Sequence, residues 1–444
     1  MLLGCGKAPP AAPVSVSIHA LAKTTPVGEG RDTPSSDEKW WTRFDIPDAN
    51  NVREIFPDDR GGARVFVERG EGTTWGDWRS WASFVDVDAA GREVGNISAV
   101  EGVLVNVGEV ALGKDGNVVL AGGYQGTMGI EGVKIADSKE LPGSTRMSMY
   151  VVALDRKGQL AWKHTFTNAK PWSIARRADG VVVVSGTLEG LSDFGGGTFG
   201  LKTADTTFIA AFDARGNHLF SRAFDMSNMG GSHVAFLGDS TIDLFATLGF
   251  NVHDLDFGDG PHRGITSLGT AVARFDDHGK CLKSSIISIL AKSVAVGPSG
   301  DAVVTGETTE PESNARSQLV LRVDGDGHEM WRRAFPSDTV GFRWAPVALD
   351  AHGNALSAIL APTALGEPSF VDVILFDKLG TEIYRQRMHD DAYLRISDVA
   401  FSSSGAAFIA GQSTGRELVY DGDVLPANHS FGVFLMKLPN PAAK

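Results

Sequence analysis

A short stretch of the sequence gathers carboxylates and imidazoles, the side chains that bind divalent cations. Its members, all within ten residues, are His253, Asp254, Asp256, Asp259 and His262. Oxygen and imidazole ligands this close together predict a candidate site for a divalent cation. The alternative is a structural loop, because FGDG at 257–260 repeats as FGGG at 194–197. On that interpretation the glycines and Asp256 belong to a repeat.

A second acidic stretch, Asp324-Gly325-Asp326-Gly327, has the alternating carboxylates that begin a calcium-binding loop. Such a loop ends on a glutamate at its twelfth position, and that position is Phe335 here. The sequence therefore predicts a tight turn at this place and not a calcium loop.

Four tryptophans are candidates for stacking on sugar rings or docking a peptide, because indoles contribute strongly at such surfaces. They are Trp75, Trp78, Trp172 and Trp344. The alternative is that they pack inside the fold.

Three long connections, at 124–148, 187–206 and 248–269, are also candidates for binding, because long loops on a rigid scaffold often carry function. The alternative is that these connections are solvent-exposed loops with no binding role.

No catalytic motif is supported by its context. The sequence has no nucleophile elbow, no HExxH, no Walker loop and no Rossmann glycine pattern. The glycine-rich run 191–200 lacks the strand-to-helix setting that a phosphate loop needs. Cys281 has no CxxC partner and is predicted to be a passive small side chain. We therefore expect no cofactor and favour a non-enzymatic role.

Composition indicates a fold of strands and turns. The 444 residues include 53 Gly but only 5 Tyr and 2 Cys, and 42% are hydrophobic. Abundant glycine among short runs of Val, Ile, Leu and Phe is typical of strands and tight turns. No long stretch keeps a helical period, and none is apolar over about 18 residues, so neither helices nor a membrane span is expected. The net charge of -13 disfavours binding to nucleic acid.

An Asp-x-x-Gly turn between two apolar runs recurs along the chain with the pattern of a β-hairpin. Its clearest copy is YVVALDRKGQLAWKHTF at 150–166. A second type of hairpin alternates with it, so each unit of roughly 50 to 65 residues holds about four strands. The copies are Asp88-Gly91, Asp155-Gly158, Asp213-Gly216, Asp276-Gly279, Asp324-Gly327 and Asp377-Gly380.

Units of this kind predict an all-β fold, a seven-bladed β-propeller of four-stranded antiparallel blades, with six or eight blades as alternatives. The last unit lacks one strand after the run 432–438. Residues 39–44, KWWTRF, share the Trp-x-x-x-Phe ending of 162–166 and precede the first blade. We expect this N-terminal strand to complete the last blade and close the ring, which would remove two exposed sheet edges.

Segments of the repeat resemble the seven-bladed β-propeller repeat family of secreted bacterial proteins. They are ALDRKGQLAW at 153–162, LSDFGGG at 191–197 and LDFGDG at 255–260. The resemblance covers most of residues 100–440 and implies the propeller fold without a particular ligand. The first segment is also similar to the tryptophan-docking motif of quinoprotein-type propellers, which include lipoproteins of outer-membrane assembly. Only Trp162 and Trp331 follow the repeat turns, whereas that family has such a tryptophan in nearly every blade.

The first residues, MLLGCG, resemble at Leu2–Cys5 the lipobox of bacterial lipoproteins, whose cysteine is lipidated. The charged and apolar regions that precede such a box are absent from the sequence. The following stretch to Asp37 is rich in Ala, Pro, Ser, Thr and Gly, and we expect a disordered tether spanning roughly 30 Å. The expected organisation is a lipobox-like start and tether over 1–37 and one propeller domain over 38–444.

Together these features predict a lipoprotein of the bacterial cell envelope, anchored through Cys5 at the cell surface or in the periplasm. We expect a monomer whose loop face binds a protein or polysaccharide partner, with no nucleic acid and no membrane contact beyond the lipid. The alternative is a propeller enzyme, such as a glycosidase, a lyase or a quinone-dependent dehydrogenase. Paired carboxylates of the glycosidase type leave no sequence motif, because their separation exists only in the folded chain.

Overall fold

A computed structural model gives the structure of most of the chain beyond Lys39. The described residues are 39–44, 49–71, 79–103, 106–130, 133–137, 147–200, 206–226, 228–238, 240–249, 252, 255–263, 265, 269–309, 316–336, 345–361, 369–415, 417–426, 432–438 and 441. They form strands and turns with no α-helix among them, so the all-β prediction is confirmed. Within these residues there is accordingly no helix of the length and apolarity needed to cross a membrane.

The strands follow one another closely along the chain. The first eighteen are β1 (Trp40–Phe44), β2 (Ala49–Pro57), β3 (Ala63–Glu71), β4 (Arg79–Val87), β5 (Glu93–Val103), β6 (Asn106–Leu112), β7 (Val118–Tyr124), β8 (Thr127–Ile130), β9 (Val133–Asp137), β10 (Ser148–Leu154), β11 (Leu160–Phe166), β12 (Ala169–Arg176), β13 (Val182–Leu188), β14 (Ser192–Asp193), β15 (Thr198–Phe199), β16 (Thr206–Phe212), β17 (His218–Phe224) and β18 (Asn228–Leu237). The others are β19 (Thr241–Leu248), β20 (Leu255–Asp256), β21 (Pro261–His262), β22 (Gly269–Asp276), β23 (Cys281–Ile287), β24 (Leu290–Val296), β25 (Ala302–Thr309), β26 (Arg316–Val323), β27 (Glu329–Pro336), β28 (Val347–Leu349), β29 (Ala355–Leu360), β30 (Ser369–Phe376), β31 (Glu382–Asp390), β32 (Leu394–Phe401), β33 (Ala407–Ser413), β34 (Glu417–Tyr420), β35 (Asp423–Pro426) and β36 (Gly432–Leu438).

These strands form antiparallel sheets with one recurring plan of four strands. In spatial order they are sheet 1 (β2, β3, β4, β5), sheet 2 (β6, β7, β10, β11), sheet 3 (β12, β13, β16, β17), sheet 4 (β18, β19, β22, β23), sheet 5 (β24, β25, β26, β27), sheet 6 (β28, β29, β30, β31) and sheet 7 (β32, β33, β36, β1). The ribbon β8–β9 extends sheet 1 beyond β5, and the ribbon β34–β35 extends sheet 6 beyond β31. Two further ribbons, β14–β15 and β20–β21, lie in the connections within sheets 3 and 4.

The three long connections predicted as loops therefore each contain a short ribbon. In sheet 3 the ribbon places Phe194 with its ring centroid 4.3 Å from that of Phe166, on the outer strand of sheet 2. In sheet 4 the ribbon places Phe257 at 4.8 Å from Phe224, on the outer strand of sheet 3. Each ribbon thus covers part of the preceding sheet's outer strand, where unpaired backbone would otherwise be exposed.

The Asp-x-x-Gly turns are alike because the aspartate side chain bonds the backbone of its own turn. Asp155 Oδ1 accepts hydrogen bonds from the N–H groups of Lys157 (2.8 Å) and Gln159 (2.9 Å). Gly158 has a φ of 84°, a left-handed conformation that glycine adopts without steric cost. The same pair of bonds recurs at Asp88, Asp213, Asp276, Asp324 and Asp377.

The first strand of several sheets contains a β-bulge, and the second strand has a glycine opposite it. In sheet 3 the bulge lies at Trp172 and the opposing residue is Gly186. A Cβ at position 186 would stand 2.1 Å from the carbonyl oxygen of Lys170. Gly306 and Gly411 face equivalent carbonyls of sheets 5 and 7 at 2.0 and 2.2 Å. The recurring glycines at these strands are therefore a consequence of the bulge.

Neighbouring sheets interlock where an aromatic side chain of one outer strand lies against a turn glycine of the next sheet. A Cβ on Gly216 of sheet 3 would lie 2.8 Å from the indole of Trp162 of sheet 2. The same indole donates its N–H to the carbonyl of Ala214 in that turn (3.1 Å). Trp331 of sheet 5 contacts Gly380 of sheet 6 in the same way.

The two ends of the chain meet in sheet 7. Strand β1 pairs with β36 in antiparallel register, beginning with Trp40 opposite Lys437. The predicted pairing of the N-terminal strand with the last apolar run is therefore confirmed. Lys39 also forms an ion pair with Asp423 in the ribbon on sheet 6 (2.6 Å).

The first strands of the sheets contact one another in succession, from β2 through β6, β12, β18, β24 and β28 to β32, and β32 contacts β2. The hydrophobic core is accordingly divided among clusters that lie between neighbouring sheets. One such cluster joins Val65 of sheet 1 to Phe408 of sheet 7. This arrangement places equivalent positions of neighbouring first strands beside one another.

Candidate functional site

Asp256, a predicted metal ligand, bonds the backbone of its own loop. Its Oδ1 accepts hydrogen bonds from the N–H groups of Gly258 (2.7 Å) and Gly260 (3.1 Å). Asp193 makes the same two bonds, with the same lengths, one sheet earlier. The structural role inferred from the FGGG and FGDG repeat thus accounts for this carboxylate.

Asp259 and His262, two more predicted ligands, both contact Ser284 on the outer strand of sheet 4. Ser284 Oγ lies 2.7 Å from Asp259 Oδ1 and 2.6 Å from His262 Nε2. A hydroxyl has one proton, so the serine donates to the carboxylate and the imidazole N–H donates to the serine. In a nucleophilic triad the serine donates to the imidazole instead. This order of bonds therefore holds the ribbon to the sheet and does not activate Ser284.

The predicted ligands Asp256, Asp259 and His262 do not form a tight group. Among the described residues, three metal-ligating side chains come within 4.8 Å of one another only at Asp324, Asp326 and His328. Asp324 stabilises its own turn, because its carboxylate accepts hydrogen bonds from the backbone N–H groups of Asp326 and His328. The Asp326 carboxylate forms an ion pair with Lys283. The predicted turn at Asp324 is confirmed. His253 and Asp254 lie outside the described residues.

Trp172, a predicted stacking residue, lies at the bulge of β12, and its ring contacts a cation of its own strand and the next sheet. The ammonium of Lys170 is 4.3 Å from the ring centroid. A Cβ on Gly231 of sheet 4 would be 3.5 Å from a ring atom. The indole N–H donates to Thr187 Oγ1 (2.8 Å). The indole is therefore held by contacts within sheet 3 and also lies next to sheet 4. Trp75, Trp78 and Trp344, like Cys5, lie outside the described residues.

A ring of side chains on the first strands, all polar except one proline, was not foreseen from the sequence. Each member precedes a Val or Ile of a first strand and occupies the same place in the repeat. The members are Glu54, Glu109, Ser173, His233, Ser293, Pro346 and Asp398. A repeated pattern of variable residue, then Val or Ile, then usually Ala could have revealed the position. It could not have shown that the variable residues meet.

Four of the ring residues accept a backbone N–H from the first strand of the following sheet. Asp398 accepts the N–H of Ile55 (2.7 Å), and Ser173 Oγ accepts the N–H of Val234 (3.2 Å). Ser293 Oγ likewise accepts the N–H of Val347 in sheet 6 (3.3 Å). Glu54 accepts the backbone N–H of Val110. These side chains therefore have an inter-sheet role that either a hydroxyl or a carboxyl can fill.

The three carboxyls of the ring lie on the successive sheets 7, 1 and 2. Burial raises the pKa of Glu109 to about 7. Burial, with the charge of Glu109, also raises the pKa of Asp398 to about 7, against the lowering effect of its backbone hydrogen bonds. Burial and the charges of Asp398 and Glu109 raise the pKa of Glu54 well above its usual range. Each carboxyl keeps a little accessible surface although protein surrounds it, as a narrow central space would allow.

The opposite side of the ring has basic groups. His233 donates a ring N–H to the carbonyl of Lys292, whose side chain is only 8% exposed. Burial and the charge of Lys292 lower the pKa of His233 to about 4. The imidazole is therefore neutral at physiological pH, and the acidic groups of the ring are confined to its other side.

No protein-family model and no curated protein matches this sequence. Among solved structures, the β-propeller domain of the Trilobed protease from Pyrococcus furiosus aligns with 86% of this chain and 97% of that one, at 12% identity and a TM-score of 0.45. NanB sialidase from Streptococcus pneumoniae aligns over 88% and 69%, at 10% identity and a TM-score of 0.40. Puromycin hydrolase aligns over 86% and 54%, at 14% identity and a TM-score of 0.46. Similarities at these scores carry no argument about the activity of this chain.

Proposed function

We propose that this chain is a seven-bladed β-propeller of the secreted bacterial repeat family, each sheet being one blade. Support comes from the recurring four-stranded plan and from the order of contacts among the first strands, in which β32 returns to β2. The strand exchange between β1 and β36 then closes the ring. The ring of polar side chains would line the central channel of this propeller.

We infer that the protein is a non-enzymatic lipoprotein of the bacterial cell envelope, anchored through Cys5, at the cell surface or in the periplasm. Its role would be to bind a protein or polysaccharide through the side that carries the long connections. One observation supports this role best. The predicted site residues that the structure describes all make their contacts within the fold. Asp256 bonds its own loop, Asp259 and His262 bond Ser284 of their own sheet, and Trp172 bonds Thr187 of its own sheet.

The anchor and the long connections would face opposite sides of the propeller. Trp40 lies against Gly91, a glycine of an Asp-x-x-Gly turn, so β1 begins on the side of those turns. The long connections leave the other ends of the strands. A lipid on Cys5 would then hold the turn side toward the membrane and leave the other side free for a partner.

The second candidate function is a glycosidase or lyase, and the three central carboxyls favour it. A glycosidase needs two carboxyls, of which one has a raised pKa. Glu109 and Asp398 meet the second condition. Asp398, however, already accepts two backbone N–H groups, those of Ile55 and Val399. This engagement favours the scaffold.

Two assays on the full-length protein distinguish the scaffold from the enzyme. Immobilised protein is tested for retention of envelope polysaccharides and envelope proteins, and the same mixtures are tested for release of reducing ends. The scaffold predicts retention without release, and retention that is lost when the connection 138–147 is replaced by Gly and Ser. Release that is abolished by Glu109→Gln would overturn the scaffold in favour of the enzyme. The lipid anchor is tested separately with protein made in the native host. The wild type should partition into a detergent phase, and Cys5→Ser should lose this partitioning.

A further inference from the structure

Three of the ring positions carry carboxyls where two others carry serine. Glu54, Glu109 and Asp398 lie on β2, β6 and β32, which are neighbours at the centre of the fold. Each follows a β-bulge of its strand, so the side chains leave the backbone at equivalent places. The fold therefore brings together three like-charged groups that are far apart in the sequence.

The inter-sheet bond does not by itself explain why carboxyls stand here. Ser173 accepts the same bond from the next first strand with a neutral hydroxyl. A carboxylate at this place must lose water and must face two others, and both effects are unfavourable to the folded state. A neutral carboxyl keeps an oxygen that can accept the N–H bond and removes the repulsion. What the three carboxyls have and a serine lacks is therefore a charge that protons can remove.

Among the described residues, Arg53 is the opposite charge that acts on Glu109. Arg53 faces Glu109 but is shared with Glu68, with which it forms two hydrogen bonds of 2.9 and 2.6 Å. Arg395 of sheet 7 interacts with Arg53, and Tyr150 of sheet 2 interacts with Arg53 and Glu68. Glu109 thus interacts directly with Arg53, and Glu68, Arg395 and Tyr150 interact with the cluster through Arg53.

We propose that Glu54, Glu109 and Asp398 form a proton-binding cluster that tightens the contacts among β32, β2 and β6 when it is protonated. At slightly acidic pH the carboxyls are neutral, and the three sheets are held by the N–H bonds to Asp398 and Glu54 without opposing repulsion. At slightly alkaline pH the charges repel, and this part of the ring loosens.

The direction of the pH effect follows from linkage. The folded chain holds protons on the cluster up to about pH 7, whereas the unfolded chain releases them near pH 4. Between these values the folded state binds more protons, so stability falls as pH rises. One extra proton in the folded state corresponds to about a tenfold change in the unfolding constant per pH unit.

The test compares unfolding of the full-length wild type with that of the triple variant Glu54→Gln, Glu109→Gln and Asp398→Asn between about pH 5 and about pH 8. The wild-type unfolding constant should rise, relative to the triple variant, by about tenfold or more per pH unit near pH 6. Glu417→Gln, which removes an exposed carboxylate at the start of β34, is the matched control and should keep the wild-type dependence. Equal pH dependence in the wild type and the triple variant would overturn the proposal.

A second measurement is independent of whether the triple variant folds. Infrared difference spectra of the wild type between about pH 5 and about pH 8 should show the C=O band of buried protonated carboxyls disappearing near pH 7. Glu109→Gln alone should reduce that band. A spectrum in which all carboxyls are ionised well below pH 6 would overturn the proposal.

Discussion

The indole of Trp40 lies against Gly91: a Cβ at position 91 would stand 2.7 Å from a carbon of that ring. Trp40 belongs to the strand that the N-terminal region contributes to sheet 7, and Gly91 belongs to a turn of sheet 1. The N-terminal strand is therefore fixed by its pairing with β36 and by its contact with the following sheet. Unlike Trp162, Trp40 has no acceptor for its indole N–H among the described residues.

Trp40→Ala should release the N-terminal strand at a cost of about 3 to 5 kcal/mol, the usual range for removing a buried aromatic side chain. Trp331→Ala, which removes the same contact between sheets 5 and 6, is the matched comparison. Both variants should have lower midpoints of denaturant unfolding, but only Trp40→Ala should become sensitive to proteolysis near its N-terminus. Equal proteolysis in both variants would refute a special role for Trp40 in closure.

Gly306→Ala should destabilise the fold by several kcal/mol, because its Cβ would stand 2.0 Å from the carbonyl of Leu290 and the bulge would have to move. Gly238→Asn is the control, since no atom lies within 4 Å of its Cβ position and asparagine tolerates its φ of 61°. Thermal unfolding measures both. A small effect of Gly306→Ala would show that the bulge adapts.

His233 should make the protein less stable as pH falls from about 6.5 to about 4. Its pKa is lowered to about 4 in the folded chain, whereas the unfolded chain takes up the proton near its ordinary value. The unfolded state therefore binds more protons in this window. His233→Gln should flatten this part of the stability profile relative to the wild type. An unchanged difference between pH 7 and pH 5 would contradict the burial of a neutral imidazole.

Asp256→Ala and Asp193→Ala should each cost about 1 kcal/mol, because both carboxylates make the same two bonds to turn N–H groups on an exposed ribbon. Added calcium or zinc should not change the comparison. If either cation stabilises the wild type and Asp193→Ala but not Asp256→Ala, the predicted metal site at 253–262 is real.

Local features could be predicted from the sequence, and contacts between distant segments mostly could not. The turn at Asp155 was predictable because its bonds join residues close in the chain. The pairing of β1 with β36 was predictable because one unit lacked a strand and the N-terminus supplied its pattern. The contact of Ser284 with His262 was not, because a single serine carries no signal. Nor was the meeting of Glu54, Glu109 and Asp398, which depends on how the first strands approach one another.

Closure of the ring by the chain's own N-terminus is tested most directly with a disulfide across β1 and β36. Thr42 lies opposite Leu435, a separation that suits a disulfide. The measurement is the electrophoretic mobility, without reductant, of the Thr42→Cys/Leu435→Cys variant. Both natural cysteines are first removed by Cys5→Ser and Cys281→Ser. Thr42→Cys/Lys437→Cys, whose positions are out of register, is the control. A cross-linked monomer is predicted. A covalent dimer, or no cross-link, would contradict closure within one chain.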